Sequence, residues 1–212
     1  GYSHLLLEDY AEKLNEEGQF FVHTIRQATQ QMKQLIDDLL AYSRMQRREL
    51  SIKIVNPQLL VEQLLAERTA EMEAQGIKIE VNIPCSAVAA ETEGLAQVLR
   101  NLLDNAIKFS CDVPDPRIEI GGRSEEKNCT LWVKDNGVGF DIKYHDRIFE
   151  IFQRLHSTEK YPGTGIGLAI VSKAMKRMHG RVWAESKPGE GAVFFIEIPK
   201  AEAAISKKNN FT

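Results

Sequence analysis

The chain has no apolar run approaching the roughly 18 to 20 residues that cross a bilayer, and no signal-peptide pattern. A membrane segment is therefore not expected within these 212 residues. Basic excess is also missing: 27 Lys and Arg stand against 30 Asp and Glu, a formal net charge of -3, which gives no reason to expect nucleic acid. Cysteine is scarce. Cys85, Cys111 and Cys129 are odd in number, scattered, and in no metal-ligand spacing, so the expectation is a reducing cytoplasm. Internal repeats and low-complexity segments are absent. What is present is an ordinary globular composition, 43% hydrophobic and 27% charged, with length for one large domain or a domain plus an accessory element.

Residues 1–14 carry a helical pattern, and Asn15-Glu16-Glu17-Gly18 reads as a break. From Gln19 to about Leu50 a long helix is expected, with Phe21, Ile25, Ala28, Met32, Leu35, Leu39 and Tyr42 spaced 4-3-4-3-4-3. That is a heptad seam. A lone hairpin buries too little, and Leu6, Ile36 and Leu40 also want partners, so pairing of two chains into a four-helix bundle is expected. The alternative is a hairpin folded back on its own domain.

After residue 50 the pattern changes. A strand over 51–55 precedes a helix opened by Pro57 and stopped by Gly76, then strands over 77–83 and 88–90 lead to a helix capped by Thr92. Strands over 117–122 and 130–134, a helix over 166–178, and strands over 181–185 and 192–198 complete the set. Elements in runs, without strict βαβ alternation, predict an α+β sandwich with helices on one face. The expected division is 1–50 for the hairpin, 51–200 for the α+β domain and 201–212 for a tail.

Three stretches carry chemistry. In QVLRNLLDNAIKFS, residues 97–110, Asn101, Asn105 and Lys108 form one stripe, opposite Val98, Leu99, Leu102, Leu103 and Ala106. Carboxamide oxygens suit Mg²⁺ and an ammonium suits phosphate; an ordinary amphipathic helix is the other reading. Asp135 ends an apolar strand and enters the turn Asn136-Gly137-Val138-Gly139. A carboxylate held there can accept a hydrogen bond from the exocyclic amine of adenine, while the guanine carbonyl would leave it unpaired. A strand-to-turn Asx motif is the bland alternative. Gly163-Thr164-Gly165-Ile166-Gly167 directly before a helix offers backbone N–H groups to an anion. It lacks the Gly-Lys-Ser/Thr ending of a Walker A loop, and no strand leads into it as a Rossmann fingerprint requires. Residues 141–162 have the size and polarity of a lid. Arg154 and Lys160 belong to it, within reach of terminal phosphates or held in structural ion pairs.

Taken in order, the Asn helix, Asp135 to Gly139, Phe149-Glu150-Ile151-Phe152-Gln153-Arg154 and the segment Gly163 to Leu168 resemble the N, G1, F and G2 boxes of the histidine-kinase ATP-binding domain, a branch of the GHKL superfamily. The wording FQRLHSTEKYPGTGIGLAI is most similar to phytochrome-type and related soluble two-component sensor kinases. The resemblance runs from Gly1 to about Pro199. It implies a Bergerat-type sandwich behind a dimerisation hairpin, and a cytoplasmic kinase using ATP and Mg²⁺. It places adenine on Asp135, the metal on Asn105, and other nucleotide contacts on Asn101, Lys108, Gly137, Gly139, Arg154, Lys160, Gly163, Thr164, Gly165, Gly167 and Leu168. Implied partners are a second copy, a response-regulator receiver domain and an upstream sensory domain.

Three departures matter. The family's first hairpin helix carries His-Asp/Glu-x-x-x-Pro-Leu, whereas His4 is followed by Leu5-Leu6-Leu7 and His23 by Thr24-Ile25-Arg26. Neither is expected to accept phosphate, so the chain is expected to be a fragment of a longer kinase. Ala192 stands where Ser or Thr is usual, and Glu91 where Asp is common. Members that hydrolyse ATP place a Glu four residues before the metal-binding Asn. Here that residue is Asn101, which cannot take a proton from water and so favours transfer to an imidazole over hydrolysis. A GHKL-type ATPase or serine kinase and a nucleotide-binding dimerisation scaffold are the alternatives.

Overall fold

The computed structural model describes residues 2–45, 50–155 and 160–201. Most of the expected tail, the last turn expected of the long helix and the His4 side chain lie outside the described residues. Helix α1 (Tyr2–Tyr10) passes through a 3-10 turn (Ala11–Lys13) into α2 (Glu16–Arg44). The break falls earlier than 15–18, because Asn15 caps α2 by accepting from Gly18 N at 2.9 Å, and Glu16 and Glu17 favour the positive end of the helix dipole. Val22 is the one buried residue among those described in α2. Along the seam Phe21, Ile25 and Met32 are 54%, 58% and 59% exposed.

Strand β1 (Lys53–Val55) leads to α3 (Pro57–Ala66) and α4 (Thr69–Ala74), which replace the single helix expected here. Arg68 leaves helical geometry between them, its guanidinium reaching Asp104 at 2.7 Å, while the Thr69 hydroxyl donates to the Leu65 carbonyl. A side chain that competes for a helix carbonyl loosens the ladder at that point. The remaining elements are β2 (Lys78–Asn82), β3 (Val88–Ala90), α5 (Thr92–Ser110), β4 (Arg117–Ser124), β5 (Asn128–Asp135), α6 (Gly167–Arg177), β6 (Arg181–Lys187) and β7 (Gly191–Pro199). Thr92 is not the cap of α5: Glu91 holds that place and makes no side-chain bond, and Thr92 is the first helical residue.

The main sheet has the order β2-β4-β5-β7-β6, antiparallel except for the parallel pair β2 and β4. β1 and β3 form a separate antiparallel pair. Helices α5 and α6 supply Leu95, Leu102, Val171 and Met175 to a core that also takes Ile118, Leu131, Ile196 and Ile198 from the sheet. This is the α+β architecture expected. Two of the three cysteines are paired, against the expectation of a thiol chain: Cys85 and Cys129 form a disulfide, 3% and 0% exposed, with Cα atoms 6.2 Å apart. Closing a loop of 44 residues constrains the unfolded chain by ~4 kcal/mol. Cys111 is free and exposed. No helix among the described residues is long and apolar enough to cross a membrane.

The sheet face away from the helices carries one row in register, Gly121, Trp132, Phe195 and Trp183. Trp183 stacks on Phe195 with ring centroids 5.1 Å apart, and Trp132 Nε1 donates to Glu119 at 3.1 Å. Gly121 is required because a Cβ there would sit 2.2 Å from the Trp132 indole. Gly121→Val is therefore expected to lower stability by about 1 to 3 kcal/mol, the usual range for overpacking, read as a lower urea midpoint at unchanged slope. An unchanged midpoint would mean that the Trp132 packing does not hold in solution.

Candidate functional site

Ten residues of α5 are buried, among them Val98, Leu99, Leu102, Leu103, Ala106 and Ile107. With that face seated on the sheet, Asn101, Asn105 and Lys108 line a cavity of about 320 Å³ on the other side. That volume lies at the small end of ligand pockets. Asp135, Gly139, Ala192 and Phe194 form one part of its wall; Gly163, Thr164, Gly165, Gly167 and Leu168 form another.

At the first part, Asp135 is 4% exposed, and its Oδ1 accepts from Gly137 N at 2.9 Å. Burial raises its pKa to about 6, although the N–H groups of Gly137 and Ala192 pull the other way. The site is otherwise apolar here. Gly137 is explained by protein packing, since a Cβ would meet the Phe109 carbonyl at 2.2 Å, and it does not line the cavity. Gly139 does line it, with φ +57 and the Lys187 carbonyl 2.2 Å from where a Cβ would be.

At the second part the N-terminus of α6 has no side-chain cap, which leaves its first N–H groups without a capping side chain, and its first residues Gly167 and Leu168 line the cavity. Gly167 lets α6 approach α5: a Cβ there would be 2.6 Å from Asn101 Oδ1. Asn101 Nδ2 donates to the Gln97 carbonyl at 2.8 Å. Lys108 Nζ donates to Asn105 Oδ1 at 3.2 Å and lies 4.3 Å from the Phe109 ring centre. Burial, with the Arg154 charge adding to it, lowers the Lys108 pKa to about 8. Asp135 and Lys108, both moved well away from their ordinary values, therefore sit in one cavity, a pattern common at functional sites.

Arg154 and Lys160 of the lid are engaged by protein groups. Arg154 lines the cavity, but its guanidinium donates to the carbonyls of Gly163 and Tyr161. Lys160 does not line it, and its ammonium pairs with Asp112 at 3.1 Å. Asp112 also accepts from the Tyr161 hydroxyl at 2.6 Å, and Tyr161 packs on Phe109 with centroids 5.2 Å apart. These contacts tie the lid to the end of α5. Asp104 pairs with Arg68 and also lines the cavity; burial raises its pKa against that pairing.

The sequence reading missed Gln34 and Asp38 of α2, which close one side of the cavity. Asp38 accepts from the Thr164 hydroxyl, and one turn further on Lys173 Nζ donates to the Tyr42 carbonyl at 2.9 Å and lies 3.6 Å above the Tyr42 ring. Their i, i+4 spacing marks one helix face, but nothing in α2 itself points to a cavity formed by residues more than 60 positions later.

Residues 90–202 match the family model described as histidine kinase-, DNA gyrase B-, and HSP90-like ATPase, and residues 1–48 match the His Kinase A (phospho-acceptor) domain. The chain is 39% identical over 198 residues to the phytochrome-like protein Cph1 of Synechocystis sp., covering 93% of this chain and 26% of that protein. It spans about a quarter of the length of the curated relatives it matches first. Full-length ShkA in complex with AMPPNP superposes with a TM-score of 0.72 at 27% identity, over 94% of this chain and 42% of that one. The histidine kinase ThkA in complex with the response regulator protein TrrA shares the fold, with a TM-score of 0.70 at 20% identity over 94% of this chain and 57% of that one. By these matches the chain belongs to the histidine kinase-, DNA gyrase B- and HSP90-like ATPase family, in its histidine kinase branch.

Proposed function

We propose that this chain is the ATP-binding catalytic part of a protein-histidine kinase, moving the γ-phosphoryl group of ATP to a histidine for relay to a response regulator. The observation that carries the reading is the polarity of the cavity: a buried carboxylate, Asp135, in an apolar wall at one part, and a glycine loop with an uncapped helix N-terminus beside Lys108 at the other. Adenine suits the first, through its exocyclic amine, and phosphates suit the second. Gly163, Thr164, Gly165, Gly167 and Leu168 contribute backbone and hydroxyl groups to the phosphate end, and Asn101 borders it.

Mg²⁺ fits in one form only. Among the described residues no group of three or more His, Cys, Asp or Glu could hold a metal ion. A Mg²⁺ ion that keeps phosphate and water ligands needs few oxygens from the protein, and Asn105 Oδ1 supplies one. When bound, the ion would neutralise charge on the phosphates, and Lys108 would add to that with its ammonium turned from Asn105 to a phosphate oxygen. Asn101 cannot activate water as a carboxylate would, which favours transfer to imidazole over hydrolysis.

The exposed seam on α2 supports homodimerisation into a four-helix bundle, and the matched ThkA complex supports a receiver domain as the second partner. The longer relatives support a sensory segment upstream. ATP as substrate supports a cytoplasmic setting, where it is abundant, and the Cys85–Cys129 bond is sealed in the core.

Three outcomes are expected. In calorimetry ADP and Mg-ATP bind and GTP binds poorly; Asp135→Asn loses roughly 1.5 to 3 kcal/mol, one charge-assisted hydrogen bond. Because the free Asp135 pKa lies at about 6, affinity is present above that pH and declines below it as the carboxylate takes a proton. Asn105→Ala reduces the Mg²⁺ dependence of triphosphate binding more than binding of the base. Equal binding of GTP, or unchanged affinity in Asp135→Asn, would count against adenine recognition. Second, with labelled Mg-ATP the chain phosphorylates a separate helix bearing the acceptor histidine box, giving acid-labile, base-stable label, and labels neither His4 nor His23. Phosphate located on His4 or His23 by mass spectrometry would contradict the reading that neither is an acceptor. Third, sedimentation reports a dimer that Met32→Glu dissociates, since an unpaired charge in a bundle centre costs several kcal/mol. A monomer at every concentration tested would refute pairing through the seam.

A further inference from the structure

We propose that Asp38, on the hairpin helix, is a specificity-determining residue of the nucleotide site: while α2 is docked it disfavours the terminal phosphate, so the docked chain prefers a nucleoside diphosphate to the triphosphate. The proposal rests on the nucleotide reading of the cavity and adds a wall to it that comes from outside the catalytic domain. Both oxygens of the Asp38 carboxylate are fixed. Oδ1 accepts from Gln34 Nε2 at 2.9 Å, and Oδ2 accepts from Thr164 Oγ1 across 126 positions of sequence. These two donors are neutral, so neither offsets the carboxylate charge. Asp104, the other acid near this wall, differs in having Arg68 at 2.7 Å.

The position of Asp38 decides what it meets. Thr164 belongs to the glycine loop before α6, and Lys108 Nζ would lie 3.3 Å from a Cβ on neighbouring Gly163. Asp38 thus stands at the cation and helix-N-terminus end of the cavity. A triphosphate brings one more phosphate, with its negative charge, to that end than a diphosphate does. It also competes for the Thr164 hydroxyl that Asp38 occupies. Helix α2 is held in place by a second contact one turn on, where Lys173 Nζ donates to the Tyr42 carbonyl at 2.9 Å and sits over the Tyr42 ring. Triphosphate binding and docking of α2 are consequently opposed, and the coupling is reciprocal.

The test is calorimetry on the full chain with ADP and with a non-hydrolysable ATP analogue, each with Mg²⁺, for the unmodified chain, Asp38→Asn and Lys173→Met. Asp38→Asn keeps an oxygen for Thr164 and removes the charge; Lys173→Met changes no residue that lines the cavity and removes the second contact that holds α2. In both variants the affinity ratio of analogue to ADP is expected to rise roughly 3- to 10-fold, the effect of removing one nearby like charge at a solvated site, with ADP little changed. An unchanged ratio in both variants would overturn the assignment. So would a fall in analogue affinity in Asp38→Asn, which would make Asp38 a ligand of the bound metal. Failure of ADP to bind the unmodified chain would instead overturn the nucleotide reading itself, which separates the two.

Discussion

The site depends on the burial of one face of α5. Leu95, Val98, Leu99, Leu102, Leu103, Ala106 and Ile107 are all inside the core, and truncating any one such Leu to Ala typically costs 2 to 5 kcal/mol, more than any polar contact on the helix returns. That burial leaves one direction for Asn101, Asn105 and Lys108. It also fixes the C-terminal end of the helix against the turn after β5, where Gly137 leaves no room beneath the Phe109 carbonyl. Asp135 is held at that junction. The carboxylate and the polar stripe therefore face one cavity because apolar packing sets both, and the chemistry needs no separate scaffold.

The second wall is less rigid in kind. The lid and the glycine loop are held by polar contacts: Phe152 N to the Gly165 carbonyl at 2.9 Å, Arg154 to the carbonyls of Tyr161 and Gly163, and Tyr161 and Lys160 to Asp112. Hydrogen bonds of this type contribute about 1 kcal/mol each and can be exchanged for bonds to a ligand. Helix α2 joins the same network through Asp38 and Lys173. A wall assembled from exchangeable contacts on two elements far apart in sequence can respond to the number of phosphates bound, whereas the wall around Asp135 cannot.

How much of this was legible in the sequence follows from which interactions are local. The period of α5, the strand ending at Asp135 and the glycine loop before α6 are local patterns, and the architecture and the part of the cavity lined by Asn101, Asn105, Lys108, Asp135 and the glycine loop follow from them. The split between α3 and α4 was hidden because it depends on Arg68 meeting Asp104, 36 residues away. Thr92 looked like a cap because its type suits one; the chain instead enters the helix one residue earlier, at Glu91. The Cys85–Cys129 pair had no spacing signature, since strand pairing alone brings the loop after β2 beside the start of β5. Charge and lid position point Arg154 and Lys160 toward phosphates, and the structure gives Arg154 the carbonyls of Tyr161 and Gly163 and Lys160 the Asp112 carboxylate. The role of α2 in the cavity was the least legible, being a contact between residues 126 positions apart.

The central claim is that one cavity reads adenine at Asp135 and holds phosphates at the loop before α6. The most direct measurement is a crystal structure of the chain with Mg²⁺ and a non-hydrolysable ATP analogue. The account predicts the adenine exocyclic amine within hydrogen-bond distance of the Asp135 carboxylate, with the phosphates over Gly163 to Gly167 and the metal touching Asn105. A base bound away from Asp135, or a reversed nucleotide with its phosphates against Ala192 and Phe194, would contradict it.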